Sequence, residues 1–313
     1  GNNCQPKKLI GILKARKPSA PLYCIPTTAG TGSEATLGAV VSDDTTHQKE
    51  LSIDPRMVPL AAAIDPTIMR GMPAHITADT GIDVLTHALE AWMSVNASVE
   101  TDYYAASAVK SVMHYLPVVY KEGGNLKARE EMGIAAHYGG IAFNKAGLGY
   151  VHAIAHQLGA YYSIPHGRAN AIVLPYVLEV NREASKKRLA ELAKKTGMIK
   201  DGQAIGNDRD IADHLITQVR DLINTLNIDP TVKGMQASDF DHIAKAAAKE
   251  VSDTYAVPTY LSASEIKNIL TKIKQASDER VDTDTDVKGH KVAKERSVAK
   301  MVHLLNSSTN KEC

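Results

Sequence analysis

Asp83 and His87 lie four residues apart in GIDVLTHALEA, with Val84, Leu85, Ala88 and Leu89 around them. A helix stacks positions i and i+4 on one face, so a carboxylate and an imidazole leave an otherwise apolar helix side by side. A second stretch, GLGYVHAIAHQLGAYYSIPHGRANA, repeats the arrangement with His152 and His156. Gly147, Gly149 and Gly159 there allow close approach of a neighbour, and His166 follows Pro165, where a new helix can begin. Buried imidazoles and carboxylates need partners. Any fold that buries these helices must therefore supply such partners.

One carboxylate and three imidazoles suit a divalent first-row metal such as Fe²⁺, Zn²⁺ or Mn²⁺. A histidine in an apolar helix is also commonly a hydrogen-bonded core residue, and Asp-x-x-x-His arises by chance. Spacing alone leaves both readings open. A metal hydrolase is disfavoured, because His152-Ala-Ile-Ala-His156 has Ala153 where an H-E-x-x-H motif carries its general base.

Three longer stretches carry a resemblance: IPTTAGTGSEAT (25–36), the run from Ile64 to Ser94, and FNKAGLGYVHAIAHQLGAYYSIPHGRANAIVLP (143–175). They are similar to the iron-containing (group III) alcohol dehydrogenases, relatives of glycerol dehydrogenase and dehydroquinate synthase. Weaker similarity continues to about residue 274. The resemblance places Asp83, His87, His152 and His166 on that family's metal ligands. It puts His156 near the nicotinamide and substrate, and Thr27 and Thr28 against the dinucleotide. Lys49 falls where the family supplies a basic contact to the cofactor, although an exposed surface lysine is an equally open reading. The implied chemistry is hydride transfer between a primary alcohol or aldehyde and NAD or NADP at a divalent metal. The metal would act as a Lewis acid on the substrate oxygen. Dehydroquinate synthase-like chemistry fits the long motifs less closely. A homo-oligomer, dimeric or larger, is also implied.

The expected fold class is an α/β remnant plus an all-α C-terminal domain, a dehydroquinate synthase-like or iron-containing alcohol dehydrogenase fold that is N-terminally truncated. Such enzymes begin with a βα half bearing a GGGS-type turn, whereas GNNCQPKKLIGILKARKPSAPLYCIPTT resembles the stretch downstream of it. A catalytically impaired metal-binding fragment is therefore the alternative to a working dehydrogenase. Gly30-Thr31-Gly32-Ser33-Glu34-Ala35 formally fits G-x-G-x-x-A. However, LGAVVSD starts at Leu37 and leaves no room for a phosphate-binding helix. A Gly-rich turn between strands accounts for it better.

At 313 residues the chain suggests about two domains. The expected division is 1–74 as the C-terminal portion of a dinucleotide-binding domain, 75–275 as a helical metal-binding domain, and 276–313 as a polar tail, disordered or forming a short helix. Strands are expected at 21–26, 37–42 and 60–64. Helices are expected at 77–95, 100–119, 127–144, 148–161, 167–182, 184–196, 209–226, 238–248 and 263–275, the last opened by a Ser262/Glu265 capping box. Trp92 and Phe143 are expected in the helical core. In the tail, Asp282, Asp284 and Asp286 fail as a calcium loop, since Val287 and Ala293 stand where Gly and Glu are needed. A short amphipathic helix is expected over 291–305.

A formal net charge of +1 gives no electrostatic reason for a nucleic acid or anionic membrane partner. Three widely spaced cysteines argue for a reducing compartment, and a cytoplasmic location is the expectation.

Overall fold

The computed structural model describes residues 4–15, 17, 20–42, 49–199 and 205–286. Among these residues the α/β part holds two small sheets. Strand β1 (Gly11–Ile12) runs parallel to β4 (Lys49–Ile53), which pairs antiparallel with β3 (Gly38–Ser42) through Gly38–Ile53, Val40–Leu51 and Ser42–Lys49. Strand β2 (Tyr23–Cys24) pairs in parallel with β5 (Ala61–Ala62). The expected strands at 21–26 and 60–64 thus shrink to two residues each. Both carry exposed apolar side chains (Leu22, Tyr23, Ile25 and Leu60), so little packing extends them.

The GTGSEA segment forms a turn. Gly32 adopts φ +58°, and Ser33–Ala35 make a single 3-10 turn before Thr36 returns to extended backbone. No helix follows, in agreement with the reading against a dinucleotide fingerprint.

A one-turn helix, α1 (Pro66–Met69), leads into the helical part. Helix α2 (Ala74–Met93) is its axis, packing against α3 (Val99–Lys121), α4 (Leu126–Ala146) and α6 (His166–Lys195). Every residue from Gly81 to Ser94 is buried, so α2 is enclosed on all sides and its polar groups must find partners inside. Its end is tied by Ser94 Oγ, which donates to the Ala146 and Ala256 carbonyls at 2.6 and 2.9 Å. Arg129 is buried near its start and donates to Thr77 Oγ1 and to the Gly123 and Met72 carbonyls.

Helix α5 (Tyr150–Tyr162) lies against α6 and α8 (Phe240–Thr254); α7 (Asp208–Thr225) packs on α6, and α9 (Ala263–Asp286) on α8. Trp92 is fully buried under the Arg188 guanidinium, 4.3 Å from the ring centre, and Phe143 is partly buried. The Ser262/Glu265 capping box forms, with Ser262 Oγ accepting from the Glu265 amide and Glu265 Oε2 from the Ser262 amide.

Two boundaries differ from expectation. Helix α6 is one element where two were expected, because residues 183–184 hold no breaker and the charged stretch beyond still buries Leu189, Ala190, Leu192 and Ala193. Helix α9 runs past 275 to Asp286. Its eleventh-hour polarity does not end it, since Ser277 stays buried and its Oγ accepts from the Val232 amide. Asp282, Asp284 and Asp286 thus sit on helical backbone, and the segment 291–305 lies outside the described residues. Among the described residues, no helix is long and apolar enough to cross a membrane.

Candidate metal centre

Three helices deliver the polar side chains to one place. Helix α2 projects Asp83 and His87, α5 projects His152 and His156, and His166 is the first residue of α6. One ligand atom each from Asp83, His152 and His166 lies within 4.8 Å of the others. Asp83 Oδ1 stands 3.5 Å from His152 Nε2 and 3.6 Å from His166 Nε2. His87 flanks this trio, with Nε2 also 3.5 Å from Asp83 Oδ1. Its ring is sandwiched between Phe143 (centroids 4.4 Å apart) and His152 (4.8 Å). These nitrogen–oxygen separations exceed good hydrogen bonds. His87 Nδ1 is buried with no hydrogen-bond partner. This convergence of one carboxylate and several imidazoles fits a divalent cation, which would sit among the facing Asp83 Oδ1 and histidine Nε2 atoms.

Asn170, one turn after His166 on α6, is fully buried beside the trio. Its Nδ2 donates to Asp83 Oδ1 at 2.7 Å and lies 3.3 Å from both His152 Nε2 and His166 Nε2. Glu90, also buried, approaches from the opposite side of His152, its Oε2 2.6 Å from Nδ1. Both residues escaped the sequence reading. Glu90 stands seven residues after Asp83 on the same helix face, a signal that was present; Asn170 follows His166 at i+4.

The electrostatics are those of a crowded, buried charge cluster. Burial opposes ionisation of Asp83, but His87, His152 and His166 outweigh it and hold the carboxyl well below its ordinary range. Burial lowers His87 to about 4, against the pull of Asp83. It likewise lowers His166 to about 3, with His152 and His156 adding to the effect. His152 differs: burial would lower it, yet Glu90 and Asp83 together raise it to about 9.

The site opens on one side. His166 and His156 keep 32% and 31% of their side chains exposed, whereas His152 is closed off. The His156 ring stacks on His166 at 5.3 Å and lies 6.0 Å from His152. Its Nδ1 is 2.8 Å from Glu250 Oε1, which also accepts from Tyr255 Oη. Thr27 is exposed and Thr28 half-buried on the bend after β2. Lys49 opens β4, opposite Ser42, but its side chain lies outside the described residues.

The family model described as Fe-containing alcohol dehydrogenase family, C-terminal, matches residues 77–274, and that for iron-containing alcohol dehydrogenase matches 2–66. Alcohol dehydrogenase 4 of Saccharomyces cerevisiae is 38% identical over 241 residues, which is 76% of this chain and 61% of the yeast protein. The 1,3-propanediol dehydrogenase of Citrobacter freundii is 39% identical over 242 residues, or 77% of this chain and 62% of that one. The chain thus spans about three fifths of the length of these curated relatives. Among solved structures, an alcohol dehydrogenase from Oenococcus oeni superposes with a TM-score of 0.80 at 38% identity, covering 87% of this chain and 70% of that one. The helical body around Asp83, His152 and His166 and the short strands before it are those of the iron-containing alcohol dehydrogenase family, to which this chain belongs.

Proposed function

We propose that the chain serves a metal-dependent, NAD(P)-linked oxidoreductase acting on a small primary alcohol or aldehyde. The observation that carries this reading is the convergence of Asp83, His152 and His166 within 4.8 Å, on three different helices. With His87 beside them they would hold iron, or zinc or manganese in its place. When bound, the metal supplies Lewis acidity toward the substrate oxygen. Asp83 balances part of its charge. Phe143 covers His87 and keeps water from the inner wall.

Substrate enters from the exposed flank of His166 and His156. His156, steered by Glu250, faces that opening and accepts or returns the hydroxyl proton as the alcohol and aldehyde interconvert. The nicotinamide carries the hydride and would lie on the same side, with Thr27, Thr28 and Lys49 toward its dinucleotide. Similarity to proteins named alcohol dehydrogenase, 1,3-propanediol dehydrogenase and lactaldehyde reductase supports small hydroxylated or carbonyl substrates. We divide the chain near residue 74, where α2 begins, into a dinucleotide-binding portion and a helical catalytic portion, and read the assembly as a homo-oligomer.

A second reading has one observation in its favour. Tyr23 and Leu60, on and beside the paired strands β2 and β5, are 67% and 68% exposed, an unfinished sheet surface for a nucleotide domain. On that reading the chain holds metal without binding nicotinamide unaided. Titrating the Fe²⁺-loaded chain anaerobically with NADH and NADPH, following nicotinamide fluorescence and butanal reduction, separates the two. Saturable binding with turnover supports the oxidoreductase, and metal retention without cofactor binding supports the metal-bearing portion alone.

A further inference from the structure

Glu90 spends its two carboxylate oxygens on adjacent residues of α5. Oε1 accepts from the Val151 backbone amide at 2.7 Å, and Oε2 lies 2.6 Å from His152 Nδ1. The first contact replaces a missing cap. Gly149 is the N-cap residue of α5 and has no side chain to offer, so the Val151 amide is one of the orphan donors of a helix start. A carboxylate there also meets the positive end of the helix dipole. Gly149 leaves room for this contact, since a Cβ on it would stand 2.9 Å from Glu90 Oε1 and press on the carboxylate.

The second contact has a chemical consequence. An ionised carboxylate only accepts hydrogen bonds, so with Glu90 ionised His152 Nδ1 is the donor and carries a proton. In the neutral ring Nε2 is then the nitrogen with a lone pair to give a metal, and it is the one that faces Asp83 and His166. Because both contacts come from one rigid group, the ring is fixed relative to its own helix axis.

We propose that Glu90 is the positioning residue of the metal centre, setting the tautomer and ring orientation of His152 so that Nε2 is presented as a ligand. This rests on the metal-binding reading above and deepens it. Outer carboxylates of this kind raise ligand basicity, and their loss weakens metal binding by roughly 10–100-fold.

Glu90→Gln separates capping from tautomer control. The amide oxygen can still accept from Val151, which orients the amide NH₂ toward His152 Nδ1. That nitrogen must then be an unprotonated acceptor, which places a proton on Nε2 instead. The probe is Co²⁺ alone, followed by its visible absorption in the full chain, with thermal unfolding of the metal-free protein measured in parallel.

The expected result is Co²⁺ affinity reduced at least about tenfold with a perturbed ligand-field spectrum, in a variant whose metal-free form still unfolds cooperatively but at a lower temperature than the parent, because a buried carboxylate–imidazole contact is weakened. Unchanged affinity and spectrum in a folded Glu90→Gln variant would overturn the proposal while leaving the metal site standing. Failure of the parent chain itself to bind Co²⁺ would overturn both. A measurement on the parent guards against misfolding of the variant: in the Zn²⁺-loaded chain, ¹⁵N–¹H couplings of the His152 imidazole should report a proton on Nδ1 and metal on Nε2. The reverse pattern would contradict the proposal without recourse to any variant.

Discussion

Gly32 and Gly140 meet backbone to backbone where the α/β segment lies on α4. A Cβ on Gly140 would stand 2.6 Å from the Gly32 carbonyl oxygen, and one on Gly32 would stand 2.7 Å from Gly140 Cα, with Gly32 itself at φ +58°. Neither backbone can yield without moving an element. Gly140→Ala should therefore destabilise the protein by about 1–3 kcal/mol, as overpacking commonly does. The neighbouring Gly139→Ala is the control, because its Cβ would meet Val84 and His87 at ordinary distances of 3.5–3.6 Å. It should be neutral or stabilising by up to about 1 kcal/mol through helix propensity. Urea unfolding midpoints of the two variants check the contrast, and equal midpoints would count against this close packing.

His152→Ala and His166→Ala should each lose metal, since each removes one member of the converging trio. Metal content after desalting, by atomic emission, is the measurement. Full occupancy in both variants would dissolve the ligand assignment.

His156→Ala should leave metal content intact and reduce turnover. Its ring lies at the open side of the site and is anchored through Glu250 rather than through the trio. A positioned acid–base group contributes roughly 10²–10⁴-fold, so a loss of about a hundredfold or more in turnover is expected. Unchanged turnover across the pH range would remove His156 from the proton path.

The metal-free protein should be most stable near pH 6.5. His87 and His166 are held down to about 4 and about 3, from an ordinary value of 6.5. The unfolded chain therefore binds more protons than the folded one below 6.5, and stability falls as pH drops toward 4. Asp83, held low, adds to the loss in acid. His152, raised to about 9, acts in the other direction: its contribution is complete below 6.5 and is lost as pH climbs through 9. Denaturation midpoints measured at half-unit intervals test this, and a profile rising steadily from pH 6.5 to 9 would contradict it.

Much of the helical body was legible in the sequence because its signals are local. The four-residue spacing of Asp83 and His87 amid apolar neighbours is enough to place both on one buried face of α2, and Pro165 marks where α6 starts. Glu90's place on the Asp83 face of α2 was readable, but the partners found by the groups that steer the ligands were not, for the opposite reason. Glu90 reaches His152 across 62 positions, Glu250 reaches His156 across 94, and Asn170 meets Asp83 across 87, so only the packing of helices reveals their pairing. The strand at 37–42 formed as Gly38–Ser42, whereas those at 21–26 and 60–64 were over-read for lack of the same information. Runs such as Leu22–Ile25 have strand composition, but their extent depends on which neighbours pair with them.

Zinc anomalous scattering from crystals of the Zn²⁺-loaded chain tests the metal-ligand role of the three converging donors most directly. The predicted result is a single strong peak about 2.0–2.2 Å from Asp83 Oδ1, His152 Nε2 and His166 Nε2. A peak elsewhere, or none among these residues at full zinc loading, would contradict it.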